Sequence, residues 1–139
     1  MTLHRVLADT GPLVAIFSTR DQHHETCVAQ LRQIRPPLLT CWPVLTEAAW
    51  LLRRYSSQVQ QLLASLDRGF LALLPLDETA ATDLARFLAR YARTGAQLAD
   101  AALVHLADRE RIDTVFTLDK RDFTLYRTRT NRRLRIVPA

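Results

Sequence analysis

The stretch RVLADTGPLVAIFS, Arg5 to Ser18, decides the fold. Its first half is a short apolar run that stops at Asp9, which reads as a buried strand. Its second half reads as a helix start, with Pro12 near the first position and Thr10 or Gly11 as the cap. A strand therefore passes directly into a helix, and a carboxylate stands at the junction.

The rest of the chain repeats this alternation. HHETCVAQLRQI carries Cys27, Val28, Leu31 and Ile34 at helical spacing and is ended by Pro36-Pro37. LLTC is a second strand, PVLTEAAWLLRRY a helix that can begin at Pro43, and SSQVQQLLASLDRG a helix with Ser56 or Ser57 as its cap. FLALLPL is a third strand. ETAATDLARFLARYA, with Leu84, Phe87, Leu88 and Tyr91 on one stripe, and QLADAALVHLADRER are helices; TVFTL and LRIV are the last strands. Continuous apolar strands alternating with helices predict an α/β fold with a parallel sheet covered on both faces. In such sheets sites form beyond the carboxyl ends of the strands, near the switch point of strand order.

A length of 139 residues suits a single domain, residues 1–139, with enough chain to bury a full core. No apolar run approaches the ~20 residues of a membrane helix, and no signal-peptide pattern opens the chain. Cys27 and Cys41 lack metal-ligand spacing and read as reduced thiols, which points to the cytoplasm. The net charge of +5 is concentrated at one end: residues 120–139 hold seven Lys or Arg against one acid, Asp122. A basic end on a near-neutral body suggests a polyanionic partner.

Four acids occupy unusual positions. Asp9 ends the first strand, where it can also cap a helix. Glu47 has Pro43, Val44, Trp50 and Leu51 as helical neighbours, an apolar face on which Glu is seldom buried without a partner. Asp100 sits among Ala96, Gln97, Leu103 and Val104, close to a first turn where the helix dipole favours an anion. Asp119 follows TVFTL, again at a strand end, a place where Asp also serves turns. If the four converge, each like-charged pair at 4 Å costs about 4 kcal/mol at an effective dielectric of ~20. Raised pKa values or a divalent cation must then neutralise them, and all-oxygen ligands favour Mg²⁺ or Mn²⁺ over zinc.

LADTGPLVAIF with Asp9, PVLTEAAWLL with Glu47, LADAALVHLA with Asp100 and FTLDKRDF with Asp119 together resemble the PIN domain, and within it the VapC-type toxins of prokaryotic toxin–antitoxin pairs. The resemblance spans essentially the whole chain. It implies a three-layer α/β/α sandwich around a central, mostly parallel five-stranded sheet, and a Mg²⁺- or Mn²⁺-dependent ribonuclease. Asp9, Glu47, Asp100 and Asp119 match the family's acidic positions as catalytic and metal-binding residues. Asp122 matches a further acid of less uniform role. Thr10 and Thr117 match hydroxyls that help order the pocket. The resemblance also implies an RNA substrate, a homodimer and a VapB-type antitoxin that places a segment at the acidic cleft.

On that basis Asp9 and Asp100 are the main ligands of a first Mg²⁺, Asp119 completes the site, and Glu47 orients or deprotonates the attacking water or binds a second metal. In-line attack leaves a 3′-hydroxyl and a 5′-phosphate. Arg53, Arg54, Lys120, Arg121 and the arginines that follow are the expected phosphate contacts. His23 and His24 precede a helix in a surface loop, and Trp42 and Trp50 are expected in the core or at a dimer contact. A phosphotransfer receiver domain is the first rival, but LADTG supplies one early acid where a pair is needed, and Lys120 lacks the required spacing. The second rival is a non-catalytic RNA- or protein-binding module on the same fold, which would not need all four acids.

Overall fold

A computed structural model describes residues 2–139. Five three-residue strands form one sheet: β1 (Val6–Ala8), β2 (Leu38–Thr40), β3 (Leu71–Leu73), β4 (Thr114–Phe116) and β5 (Arg135–Val137). Every pairing is parallel, and the order is β3-β2-β1-β4-β5. The chain thus winds outward from β1 to β3, returns to pair β4 with β1, and winds outward again to β5. The reversal between β1 and β4 is the switch point, the place where a doubly wound sheet opens a crevice at its carboxyl edge.

Seven α-helices complete a three-layer α/β/α sandwich: α1 (Thr10–Phe17), α2 (His24–Leu31), α3 (Trp42–Leu51), α4 (Ser56–Asp67), α5 (Ala81–Arg90), α6 (Leu98–Arg109) and α7 (Lys120–Leu125). Helix α1 packs on α2, α3 and α4, and α6 packs on α5 and α3. The core gathers on the two central strands and on α6. Val6, Leu7, Ala8, Val115 and Phe116 are fully buried, and so are Ala101, Ala102, Leu103, Leu106 and Ala107. The small side chains of α6 explain how a helix can lie so deep: alanine on several sides lets neighbouring backbones approach. No helix among the described residues is long and apolar enough to cross a membrane.

The structure departs from the sequence reading in particulars. The cap of α1 is Asp9 itself, ahead of Thr10 and Gly11, with its side chain accepting from the Thr10 N–H. Helix α4 is entered from Tyr55 with no side-chain cap, so Ser56 and Ser57 are its first residues instead. Trp42 and Trp50 are not core residues: they are 58% and 62% exposed on α3. The basic end, where only the strand LRIV was expected, also holds the helix α7, followed by a turn and the edge strand β5. Cys27 and Cys41 are free and buried, as expected.

Candidate active site

The switch point builds the site from backbone outward. At the end of β1 the Asp9 N–H donates to the Phe116 carbonyl of β4 (2.9 Å), which locks the two strand ends together. The chain then turns into α1, and the Asp9 carboxylate accepts from the Thr10 N–H at 2.8 Å and from the Thr117 hydroxyl at 2.7 Å. Thr117 follows β4 and is fully buried. Its backbone N–H donates to Val137 on β5, and its hydroxyl oxygen accepts from the Asp119 N–H at 3.0 Å. One hydroxyl therefore positions two of the acids, donating to Asp9 and accepting from the backbone of Asp119.

The other acids arrive on helices. Asp119 caps α7, accepting from the Asp122 N–H at 3.3 Å. Asp100, in the first turn of α6, accepts from the Gln97 N–H at 2.9 Å, the capping-box bond that begins the helix. Glu47 projects half-buried from the middle of α3. Asp9, Asp100 and Asp119 thus each stand at a helix start, where orphan N–H groups and the positive end of the dipole offset part of the cost of placing anions together.

Asp9, Glu47, Asp100, Asp119 and Asp122 all line one cavity of about 510 Å³, together with Thr10, Gly11, Leu51, Gly95, Gln97 and Leu118. No Lys or Arg is in that lining. Gly11 faces the Leu118 side chain, which a Cβ there would meet at 3.4 Å, at the edge of ordinary van der Waals contact. Burial, aided by the charges of Asp100 and Glu47, pushes Asp9 up from 3.8 to about 6, against the pull of its two hydrogen bonds. Glu47 is raised by burial and by Asp100; Asp100 by burial and by Asp122; Asp119 by burial, Asp122 and Asp100. The acids feel one another, as converging carboxylates must.

Could this lining hold a metal? Among the described residues no trio of His, Cys, Asp or Glu side chains stands close enough together to grip an ion directly. The donor chemistry nonetheless suits a hydrated divalent cation. Five carboxylates and no nitrogen or sulfur ligand face the cavity, and Mg²⁺ keeps several waters while using only one or two carboxylates. Two buried hydroxyls, Thr10 Oγ1 in the cavity lining and Tyr126 Oη, have no partner at full hydrogen-bond geometry, and each faces an acid of the site, Glu47 and Asp100. Burial and the charges of Asp100, Asp122 and Asp119 hold the Tyr126 proton firmly in place, so this hydroxyl is available as a donor.

The predicted phosphate contacts are less uniform. Arg53, in the turn after α3, is folded back on the end of that helix, 3.7 Å from the Trp50 ring centroid and donating to the Trp50 carbonyl. Arg54, Lys120 and Arg121 are exposed. None of the four lines the acidic cavity. Arg127 is tied to the carbonyls of Thr124, Leu125 and Tyr126, and Arg132 to Asp113 and the carbonyls of Ala107 and Ile112, so part of the basic end braces the fold. His24 bonds the Ala15 carbonyl, away from the acids. Sequence reasoning did not select Gln97 or Tyr126. The capping-box spacing to Asp100 could have found Gln97, but Tyr126 is placed only by α7, a helix the sequence reading lacked.

The PIN domain family model matches residues 6–129. No curated protein sequence matches the chain significantly. Among solved structures, the chain is similar to the crystal structure of Mycobacterium tuberculosis VapC20, a Sarcin-Ricin loop cleaving toxin, with a TM-score of 0.76 and 19% sequence identity, covering 84% of this chain and 91% of that one. At that identity the likeness speaks to the fold alone.

Proposed function

The chain belongs to the PIN domain family, and from that premise we propose that it is a Mg²⁺- or Mn²⁺-dependent endoribonuclease, the VapC-type toxin of a toxin–antitoxin pair, with residues 1–139 as one domain. One observation carries it: five carboxylates and no cation line a single cavity at the switch point of the sheet. Such a lining repels RNA unless it is neutralised, so it makes sense as a place for a divalent ion.

Asp9, Asp100 and Asp119 would hold that ion, at least in part through its bound waters, with Thr117 keeping Asp9 and Asp119 in position. Bound Mg²⁺ or Mn²⁺ lowers the pKa of a water and stabilises charge building on the phosphate. Glu47, its own pKa raised by burial and by Asp100, would take the proton from the attacking water or hold a second ion. Asp122 extends the acidic wall. Displacement in line would leave a 3′-hydroxyl and a 5′-phosphate. Arg54, Lys120 and Arg121 are free to meet phosphates, whereas Arg53 must first leave Trp50. A VapB-type antitoxin with a cationic segment suits the acidic cavity. The exposed Trp42 and Trp50 suit a homodimer contact, and the reduced thiols suit the cytoplasm.

The open spacing of the acids is what favours the rival, a non-catalytic RNA- or protein-binding module on the same fold. Asp9→Asn and Asp100→Asn, assayed on total RNA with MgCl₂ or MnCl₂, separate the two. Metal-dependent cleavage by the wild type, reduced at least ~100-fold in each variant, supports the ribonuclease. RNA degraded equally by both variants, or by none of the three proteins, sinks it.

A further inference from the structure

A second concavity lies further along α6, on an adjoining face, and carries the opposite charge. Asp100 and Gln97, at the start of α6, face the acidic cavity. Ala101, Val104, His105 and Asp108 face another, of about 280 Å³, between α5, α6 and the segment after α7. Its basic lining is Arg86, Arg90, Arg127 and Arg129, over an apolar floor of Phe87 and Tyr91. Asp108 and Arg129 also line a third cavity, of about 760 Å³, whose further cations are Arg111 and Arg132. The two join into one groove with six arginines against three aspartates, Asp83, Asp108 and Asp113.

Those aspartates are already engaged. Asp83 holds the His105 ring at 2.6 Å and lies 3.8 Å from Arg129; Asp113 holds Arg132 at 2.7 Å; Asp108 accepts from Thr130. Arg86, Arg90 and Arg111 have no ion-pair partner among the described residues. Arg111 also holds a left-handed backbone at φ 54°, just past the end of α6, where glycine is the cheaper residue. Every cation of the groove is arginine, the side chain whose planar fork matches phosphate oxygens.

From this we infer that the groove along α5 and α6 is an RNA exosite, which grips the phosphodiester backbone of the strand whose cleavage position lies in the acidic cavity. The inference rests on the ribonuclease reading for its ligand. From Asp100 to Asp108 the helix advances about 12 Å, the reach of a few nucleotides, so one strand can occupy both sites. The charges are then divided along one helix: the anionic end handles the reacting phosphate through a cation, and the cationic flank handles the phosphates beyond it.

The test is binding of a fluorescein-labelled RNA stem-loop in EDTA, followed by anisotropy across a salt series, with RNA integrity checked on a gel. Arg86→Gln/Arg90→Gln should weaken binding by roughly tenfold and make the log–log salt slope shallower by about 1.4, two contacts at ~0.7 each. Arg111→Gly should also weaken binding, while melting at or above the wild-type temperature because the left-handed residue is relieved. Arg32→Gln/Arg68→Gln removes the same charge from exposed positions outside the groove and should leave affinity and slope near wild type. Unchanged RNA binding in the groove variants overturns the exosite, as does an equal loss in the control pair. So does a result in which only poly-glutamate binding is lost, which would assign the groove to an acidic protein. Failure of the wild type to cleave RNA would instead strike the ribonuclease reading and leave this binding experiment intact.

Discussion

At the residue scale Thr117 has the most concentrated effect. Its hydroxyl is both the donor to Asp9 and the acceptor from Asp119, in a fully buried position. Valine has nearly the same shape but can do neither, so Thr117→Val should leave the fold standing and loosen two acids at once. Removing a group that orients metal ligands typically costs 10–100-fold in metal affinity or activity. Thr117→Val should therefore lose roughly that much metal-dependent cleavage, with the metal concentration needed for half-maximal activity rising, and Thr117→Ser should restore most of it. Wild-type metal dependence in Thr117→Val would show that the bridge is ornamental to the site. The same residue shows the limit of sequence reading. TVFTLD displays a strand followed by an acid, but nothing in it says that one hydroxyl spans to Asp9, which is 108 positions away.

At the scale of elements, β1, α1, α3 and α6 were legible because each joins an apolar run or stripe to a cap or a proline. The acids were legible because they interrupt those patterns. Helix α7 was not. In Lys120–Leu125 only Phe123 and Leu125 are apolar, and six residues are too few to display a helical period. Its existence is tertiary: Phe123 is buried and stacks with Tyr126 at 5.0 Å, and Tyr126 in turn meets Phe87 and Tyr91. Once α7 is seen, the two acids at its start separate. Asp119 is the cap, fixed through its N–H to Thr117 and through its carboxylate to the Asp122 N–H. Asp122 is one turn further on and lines the cavity without such anchoring. Asp119→Asn should accordingly reduce metal-dependent cleavage by about 100-fold or more, and Asp122→Asn by about tenfold or less. Parallel assays of the two variants at saturating MnCl₂ decide it, and the reverse order would make Asp122 the principal ligand.

For the whole molecule, the cost of gathering the acids should appear as a dependence of stability on pH. The folded protein holds the Asp9 proton up to about pH 6, whereas an unfolded aspartate releases it near 3.8. Below the lower value both states are protonated and the contribution to stability is full. Between the two values the unfolded state gains by ionising and the folded state does not, so stability falls as pH rises. Two pKa units correspond to about 3 kcal/mol, or very roughly 10 °C in melting temperature for a chain this size. Glu47, Asp100 and Asp119 shift in the same direction and add to the trend. Asp9→Asn has no charge to gain at that position, although it weakens a hydrogen bond to Thr10 or Thr117. In EDTA its melting temperature should therefore improve relative to the wild type as pH rises from about 4 to about 7. A cation that occupies the site only in the folded, ionised state must act in the opposite sense, raising stability by RT ln(1 + [L]/Kd). MgCl₂ or MnCl₂ should lift the wild-type melting temperature by several degrees near pH 7.5, by much less near pH 5 where protons compete, and hardly at all in Asp9→Asn. A wild-type minus variant difference that stays flat across this pH range would mean that Asp9 does not carry the strain. A metal shift equal in both proteins would place the ion somewhere other than the switch point.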